Sequence, residues 1–147
     1  IDAIDYGINA NPKSAATEDN YQRTEDWTET ILNTSMITSP NTKANYGSAN
    51  PYLLGVAMDS VVSEPLEMFM DKNLFEKLEI SNYIIQTDMT GRPYFGGGIY
   101  LTSKDMLKFG ELYLNEGKSN GKQIISKKWI DNSFENYRVL ENTADKN

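Results

Sequence analysis

Asn45-Tyr46-Gly47-Ser48-Ala49-Asn50-Pro51-Tyr52-Leu53-Leu54-Gly55 sets a tyrosine and a serine two residues apart, just ahead of a helix. Asn50 can cap that helix, and Pro51 suits its first position, where no intrahelical N–H is required. Leu53, Leu54, Ala57, Met58, Val61 and Val62 follow at helical spacing and predict an apolar stripe that packs into a core. Ser63-Glu64-Pro65 breaks the helix and starts another. There Leu66, Phe69, Met70, Leu74 and Leu78 recur, with a break near Asn73.

Upstream, Thr24 is placed to cap a short helix with Trp27, Ile31 and Leu32 on one face, and Glu25 and Asp26 suit its positive end. Pro40 makes a turn of Thr38 to Thr42. Residues 1 to about 23 read as loop, with a turn at Asn9-Ala10-Asn11-Pro12 and no sustained period.

Downstream, Tyr83-Ile84-Ile85 has the composition of a short strand, and Asp88 to Pro93 reads as a turn. Gly96-Gly97-Gly98 precedes a helix that Thr102 and Asp105 would cap reciprocally. Met106, Leu107, Phe109, Tyr113 and Leu114 form its expected apolar face, and Gly117 its stop. Asn120-Gly121 predicts a tight hairpin turn. Ser126 then caps a helix carrying Trp129, Ile130 and Phe134. The expected organisation is a polar, loop-rich lead-in over 1–26, a helical domain over 27–134 and a polar tail over 135–147. The fold class is mainly α, with little β structure. The loops are longer than a helical bundle needs, which marks them as functional or as supported by something further.

The chain has 147 residues, enough for one domain, a net charge of −7 and a pI near 4.6. That balance argues against nucleic acid, since phosphate binding requires clustered Lys and Arg. It argues equally against anionic membrane surfaces. No stretch approaches the roughly 20 apolar residues that span a bilayer. Neither cysteine nor histidine occurs. Thiol nucleophiles, disulfides, zinc sites built on those residues and a Ser-His-Asp triad are therefore excluded within the chain. Acid–base work must fall to Tyr, Lys, Asp or Glu. The start at Ile1, polar and acidic, suggests a processed or partial chain.

Tyr46 is the first catalytic candidate. A phenol ionises near pH 10, and neighbouring ammonium groups would make its phenolate a usable base. Ser48 could reach the same cleft. The plainer reading is an aromatic packed at a helix start. The triple glycine lacks the Gly-Lys-Ser/Thr ending of a phosphate loop and reads as a close backbone approach or a hinge. The literal Ser-x-x-Lys, Ser119 to Lys122, lies in a turn, whereas that chemistry needs serine at a helix start. Asp2, Asp5, Glu18, Asp19, Glu25 and Asp26 lack the spacing of a calcium loop and read as a solvated acidic segment.

Several segments taken in order form a pattern. They are Trp27 to Leu32; Tyr46-Gly47-Ser48 with Tyr52-Leu53-Leu54-Gly55; Asn73 to Leu78; Gly96 to Met106; Phe109 to Gly117; and Asn120 to Ile130. In order and spacing they resemble the middle of the serine β-lactamase-like family, which includes class C β-lactamases, DD-peptidases and esterases. The resemblance runs from about Trp27 to Phe134. It implies the helical domain of a β-lactamase-like α/β + α hydrolase. Tyr46 matches the family's Tyr-x-Asn or Tyr-x-Ser motif, which implies general acid–base catalysis. Ser48, the third position, is implied to contact substrate, and serine there is similar to esterase-like members. The family's Ser-x-x-Lys helix and its Lys-Thr-Gly or His-x-Gly strand do not occur here, so an internal segment is expected, inactive alone. The implied partners are a small-molecule acyl substrate and the missing α/β domain of the same parent chain. No metal or organic cofactor is implied. Localisation stays open, with export suggested by the resemblance alone. The alternative is a non-catalytic helical module for binding or scaffolding. A small helical ligand-binding protein is a third reading.

Overall fold

The structure is a computed structural model that describes residues 14–36, 39 and 47–135. Tyr46, the turns expected at 9–12 and around Pro40, and the tail beyond Glu135 lie outside the described residues. The elements are α1 (Glu18–Tyr21), α2 (Trp27–Leu32), α3 (Ala49–Asp59), α4 (Leu66–Met70), β1 (Ile84–Ile85), β2 (Ile99–Tyr100), α5 (Ser103–Leu114), β3 (Lys118–Ser119), β4 (Lys122–Gln123) and α6 (Lys127–Ser133). The described chain is thus mainly helical. Its sheets are two antiparallel pairs, β1 with β2 and β3 with β4. The residues divide into two compact units. The first holds those up to Val61 and Gln86–Gly98; the second holds Val62–Ile85 and those from Ile99 on.

In the first unit, the segment read as loop contains α1, and Ala16 and Tyr21 are fully buried. Asp26, not Thr24, caps α2, its carboxylate accepting from Glu29 N–H at 2.8 Å. Thr24 instead donates its hydroxyl to the Tyr21 carbonyl at 2.7 Å. The third helix starts at Ala49, one residue before the expected cap Asn50. Pro51 still falls in the first turn, where N–H groups have no intrahelical partner. The buried face of α3 is Ala49, Tyr52 and Leu53 with Val56 packed against it, while Leu54 and Val61 are exposed. The predicted stripe is therefore turned by about one residue, or about 100°. The Tyr52 ring buries large apolar area while its hydroxyl finds polar partners, and that combination displaces Leu54. Gly55 lets the Phe95 ring lie against the helix, since a Cβ there would collide with it.

In the second unit, α4 runs into a π-helical turn, Asp71–Phe75, and a 3₁₀ turn, Glu76–Leu78. The π turn inserts an extra residue, so Phe75 joins the inward face fully buried, while Leu74, like Met70, packs partly buried against the same core. Asn73, where the break was expected, donates its side-chain amide to the Phe69 carbonyl at 2.8 Å. Glu79, at φ 56°, ends the run, with Ile80 N–H on the Phe75 carbonyl at 2.9 Å. The side chains of Phe75 and Ile80 meet in the core, completing a Schellman-type stop. Helix α5 begins as expected, Thr102 accepting from Asp105 N–H at 3.1 Å. Its inner face is Leu112 with Phe109, and Met106, Leu107 and Leu114 are exposed. Asn120 and Gly121, at φ 48° and 74°, make the β3–β4 turn. Ser126 caps α6, of which Ile130 is buried while Trp129 and Phe134 are exposed.

Candidate functional site

Ser48 stands directly before α3 but does not cap it. A capping serine is extended and accepts from the second or third helical N–H. Here Ser48 has helical angles, φ −69° and ψ −22°, and the third helical residue is Pro51, which has no N–H. The hydroxyl, 7% exposed with its residue, instead donates to Glu18 Oε2 at 3.0 Å.

Glu18 begins α1 and gathers further donors. Its Oε1 accepts from the Tyr94 hydroxyl and, at 3.2 Å, from Gln22 Nε2. The Tyr94 and Tyr21 hydroxyls are 3.0 Å apart. Burial, reinforced by the bond to Glu18, pushes the Tyr94 phenol up to about 12. Tyr94 is therefore a proton donor near neutral pH and cannot supply a phenolate base.

A second hub lies in the same unit. Asp88, 6% exposed, accepts from Tyr52 hydroxyl at 2.8 Å, Thr90 hydroxyl at 2.7 Å, Thr90 N–H at 2.8 Å and Arg92 N–H at 3.0 Å. Burial would raise this carboxyl, but those hydrogen bonds outweigh it and hold it below the usual range. Tyr52 also shares a hydrogen bond with the Thr28 hydroxyl at 2.9 Å. Burial first, with Asp88 as acceptor, pushes Tyr52 to about 12. The rings of Tyr21, Trp27, Tyr52 and Tyr94 pack together between the hubs. Among the described residues, Trp27 Nε1 is buried without a hydrogen-bond partner.

Ser48 is thus the one predicted site residue that the described structure contains, and the fold joins it to Glu18, Tyr94 and Tyr21. Glu18, read as part of a solvated acidic segment, is a network centre. Its role has no local signal, because its partners lie 30 and 76 residues away. Asp88 had one: an aspartate opening a turn, with threonine two residues on, accepts from the turn's own backbone. The triple glycine serves close approach, as a Cβ at Gly96 would strike the Tyr94 ring and one at Gly98 the Gln86 side chain. Ser119 and Lys122 face each other as hairpin partners, not one turn apart on a helix. In the second unit, an open cleft of about 690 Å³ is lined by Leu78, Lys108, Glu111, Leu112 and Asn120, apart from either hub in sequence. No helix among the described residues is long and apolar enough to cross a membrane.

The backbone matches part of the fold of solved β-lactamase-like proteins. A solved protein from Bacteroides dorei DSM 17855, provisionally named a beta-lactamase, matches with a TM-score of 0.64 at 18% identity, over 88% of this chain and 38% of its own. Another from Bacillus anthracis, provisionally named a 6-aminohexanoate-dimer hydrolase, matches with a TM-score of 0.65 at 23% identity, over 71% of this chain and 27% of its own. A curated 6-aminohexanoate-dimer hydrolase of Paenarthrobacter ureafaciens is 26% identical over 87 residues, 58% of this chain and 22% of that protein. No family model matches. The resemblance to the serine β-lactamase-like family is borne out, and the chain spans well under half the length of each of these proteins.

Proposed function

We propose that this chain is the helical-domain part of a serine hydrolase that works through an acyl-enzyme. The observation that carries the reading is the fold match to β-lactamase-like hydrolases, taken with the Tyr46-Gly47-Ser48 motif directly ahead of α3. A serine outside these 147 residues attacks the substrate carbonyl. Its proton passes to the phenolate of Tyr46, which a lysine also outside them stabilises. Tyr46 returns that proton to the leaving amine or alkoxide as the acyl bond breaks. Water then attacks the acyl-enzyme, gives up a proton by the same route and releases the acid. Ser48 borders the substrate. Its hydroxyl donates to Glu18, and its oxygen has lone pairs that a substrate donor could use. The partners are a small acyl substrate and an α/β domain of the same parent chain. No metal or organic cofactor enters the mechanism.

The relatives' names make the amide of a short amino-acid dimer the first substrate to test. The test is hydrolysis of 6-aminohexanoate dimer, an activated ester and a penicillin by the intact protein. Turnover of any of them supports the reading and ranks the substrates. No turnover by a folded protein removes it. Residues 1–147 alone are expected to form no acyl-enzyme. A second reading, a non-catalytic binding or scaffolding module, is favoured by the exposed apolar residues Met106, Leu107, Leu114, Trp129 and Phe134. Absence of a Ser-x-x-Lys helix from the parent sequence would select it.

A further inference from the structure

We propose that Glu18 is a positioning residue that fixes Ser48, the last residue of the Tyr46-Gly47-Ser48 element, to the core of the first unit. The proposal rests on the reading of that element as catalytic. The residue two positions after Tyr46 is Ser48, and its hydroxyl turns to Glu18: Pro51 lacks one of the two amides a capping serine engages, and the other, Asn50 N–H, donates to the Gly47 carbonyl at 3.3 Å. The bond to Glu18 is 3.0 Å. The other carboxylate oxygen receives Tyr94, whose ring is 3% exposed. Tyr94 is held in turn by Tyr21 at 3.0 Å and by the edge of Trp27, with centroids 5.6 Å apart and planes at 88°. One side chain therefore ties the backbone beside Tyr46 to a ring locked among aromatics. A carboxyl group suits the task, because its two oxygens receive both hydroxyls at once. An amide offers one acceptor oxygen. Glu18 touches no substrate in this scheme; it acts through Ser48, and loosening it leaves Tyr46 present but poorly placed.

The test compares the intact wild-type protein with Glu18→Ala and Glu18→Gln. Amide hydrogen exchange is followed over residues 44–50, with 103–114 as the internal control, and kcat and KM are measured on an activated ester. Glu18→Ala is expected to quicken exchange over 44–50 by about ten-fold or more and leave 103–114 unchanged. It should lower kcat by about ten-fold or more with KM within about three-fold, as a misplaced catalytic group does. Glu18→Gln should fall between it and wild type. If Glu18→Ala does not fold, Glu18→Gln and Tyr94→Phe each remove part of the network, and each must quicken exchange over 44–50. Exchange there at the wild-type rate, equal acceleration over 103–114, or a raised KM with unchanged kcat overturns the proposal. A wild type that does not turn over the ester removes the hydrolase reading instead, and the exchange comparison alone then decides whether Glu18 is an anchor.

Discussion

Tyr21, Trp27, Tyr52 and Tyr94 fill the first unit with neighbouring ring centroids 5.6 to 6.1 Å apart, and the tyrosine hydroxyls end on Glu18, Asp88, Thr28 and, for Tyr21, on Tyr94. Phe75, Leu78, Ile80 and Leu112 fill the second, and no one of them has a polar atom to place. Both cores exclude water. The first also dictates orientation, because each buried hydroxyl left without its partner carries a desolvation cost. The second is held mainly by dispersion and by backbone stops at Glu79 and Gly117, with one oriented hydroxyl at its edge, Tyr83 on Asp71 at 3.1 Å. A core that orients its side chains suits the catalytic role proposed for the Tyr46-Gly47-Ser48 element, which directly precedes the first unit's α3 in sequence.

The contrast can be broken by substitution. Tyr52→Leu should cost about 3–5 kcal/mol, combining a cavity with a buried carboxylate short of one donor. Tyr52→Phe should cost about 1–3 kcal/mol from the hydroxyl alone. A volume-conserving Leu112→Met in the second unit should stay under about 1.5 kcal/mol. Urea unfolding measures all three, and equal costs for Tyr52→Phe and Leu112→Met would erase the distinction. Gly117→Ala tests the backbone stop. The residue has φ 83° and a Cβ there would run into the Ile125 carbonyl, so a loss of about 1–3 kcal/mol is expected. A neutral Gly117→Ala would show that the stop contributes little.

Titration sharpens the contrast further. Asp88 is held below the usual carboxylate range in the folded chain. Its contribution is complete above about pH 4, the unfolded value, and is lost as pH falls through the folded one. Tyr52 and Tyr94 are raised to about 12. Their contributions are complete below about pH 10 and are lost as pH rises from there towards 12. Tyr83 in the second unit, raised to about 12 by burial and its bond to Asp71, behaves alike. Tyrosinate absorbance should therefore rise in at least two steps, the later one accompanied by loss of aromatic circular dichroism. A single step near pH 10 for all nine tyrosines would contradict the buried network. The smallest effect is expected at Leu114, 82% exposed, where Leu114→Gln should change stability by no more than about 0.5 kcal/mol. A larger loss there would mean that α5 packs its outer face against something.

Local chemistry was legible in the sequence where the deciding contacts are local. Thr102 with Asp105, Ser126, and the Asn120-Gly121 turn each act within a few residues, and each stands where the pattern puts it. Which helical face turns inward was less legible. Leucine periodicity favoured Leu54, but Tyr52 combines ring burial with two hydroxyl partners, and a π turn adds Phe75, which no regular spacing selected, to the core that Leu74 also packs against. The hubs at Glu18 and Asp88 needed the fold. Ser48 meets Glu18 across 30 residues and Tyr52 meets Asp88 across 36, and no spacing rule brings such pairs together.

The central claim is that Tyr46 moves the proton in an acyl transfer. Intact-mass spectrometry of the intact protein exposed to an activated ester and to penicillin tests it most directly, with Tyr46→Phe in parallel. A covalent acyl adduct is expected on the wild type, and one that forms or clears about 100-fold more slowly on Tyr46→Phe, the scale of a lost general acid–base group. Adduct kinetics unchanged in Tyr46→Phe, or no adduct on a folded wild type, would contradict it and leave Tyr46 a packing residue.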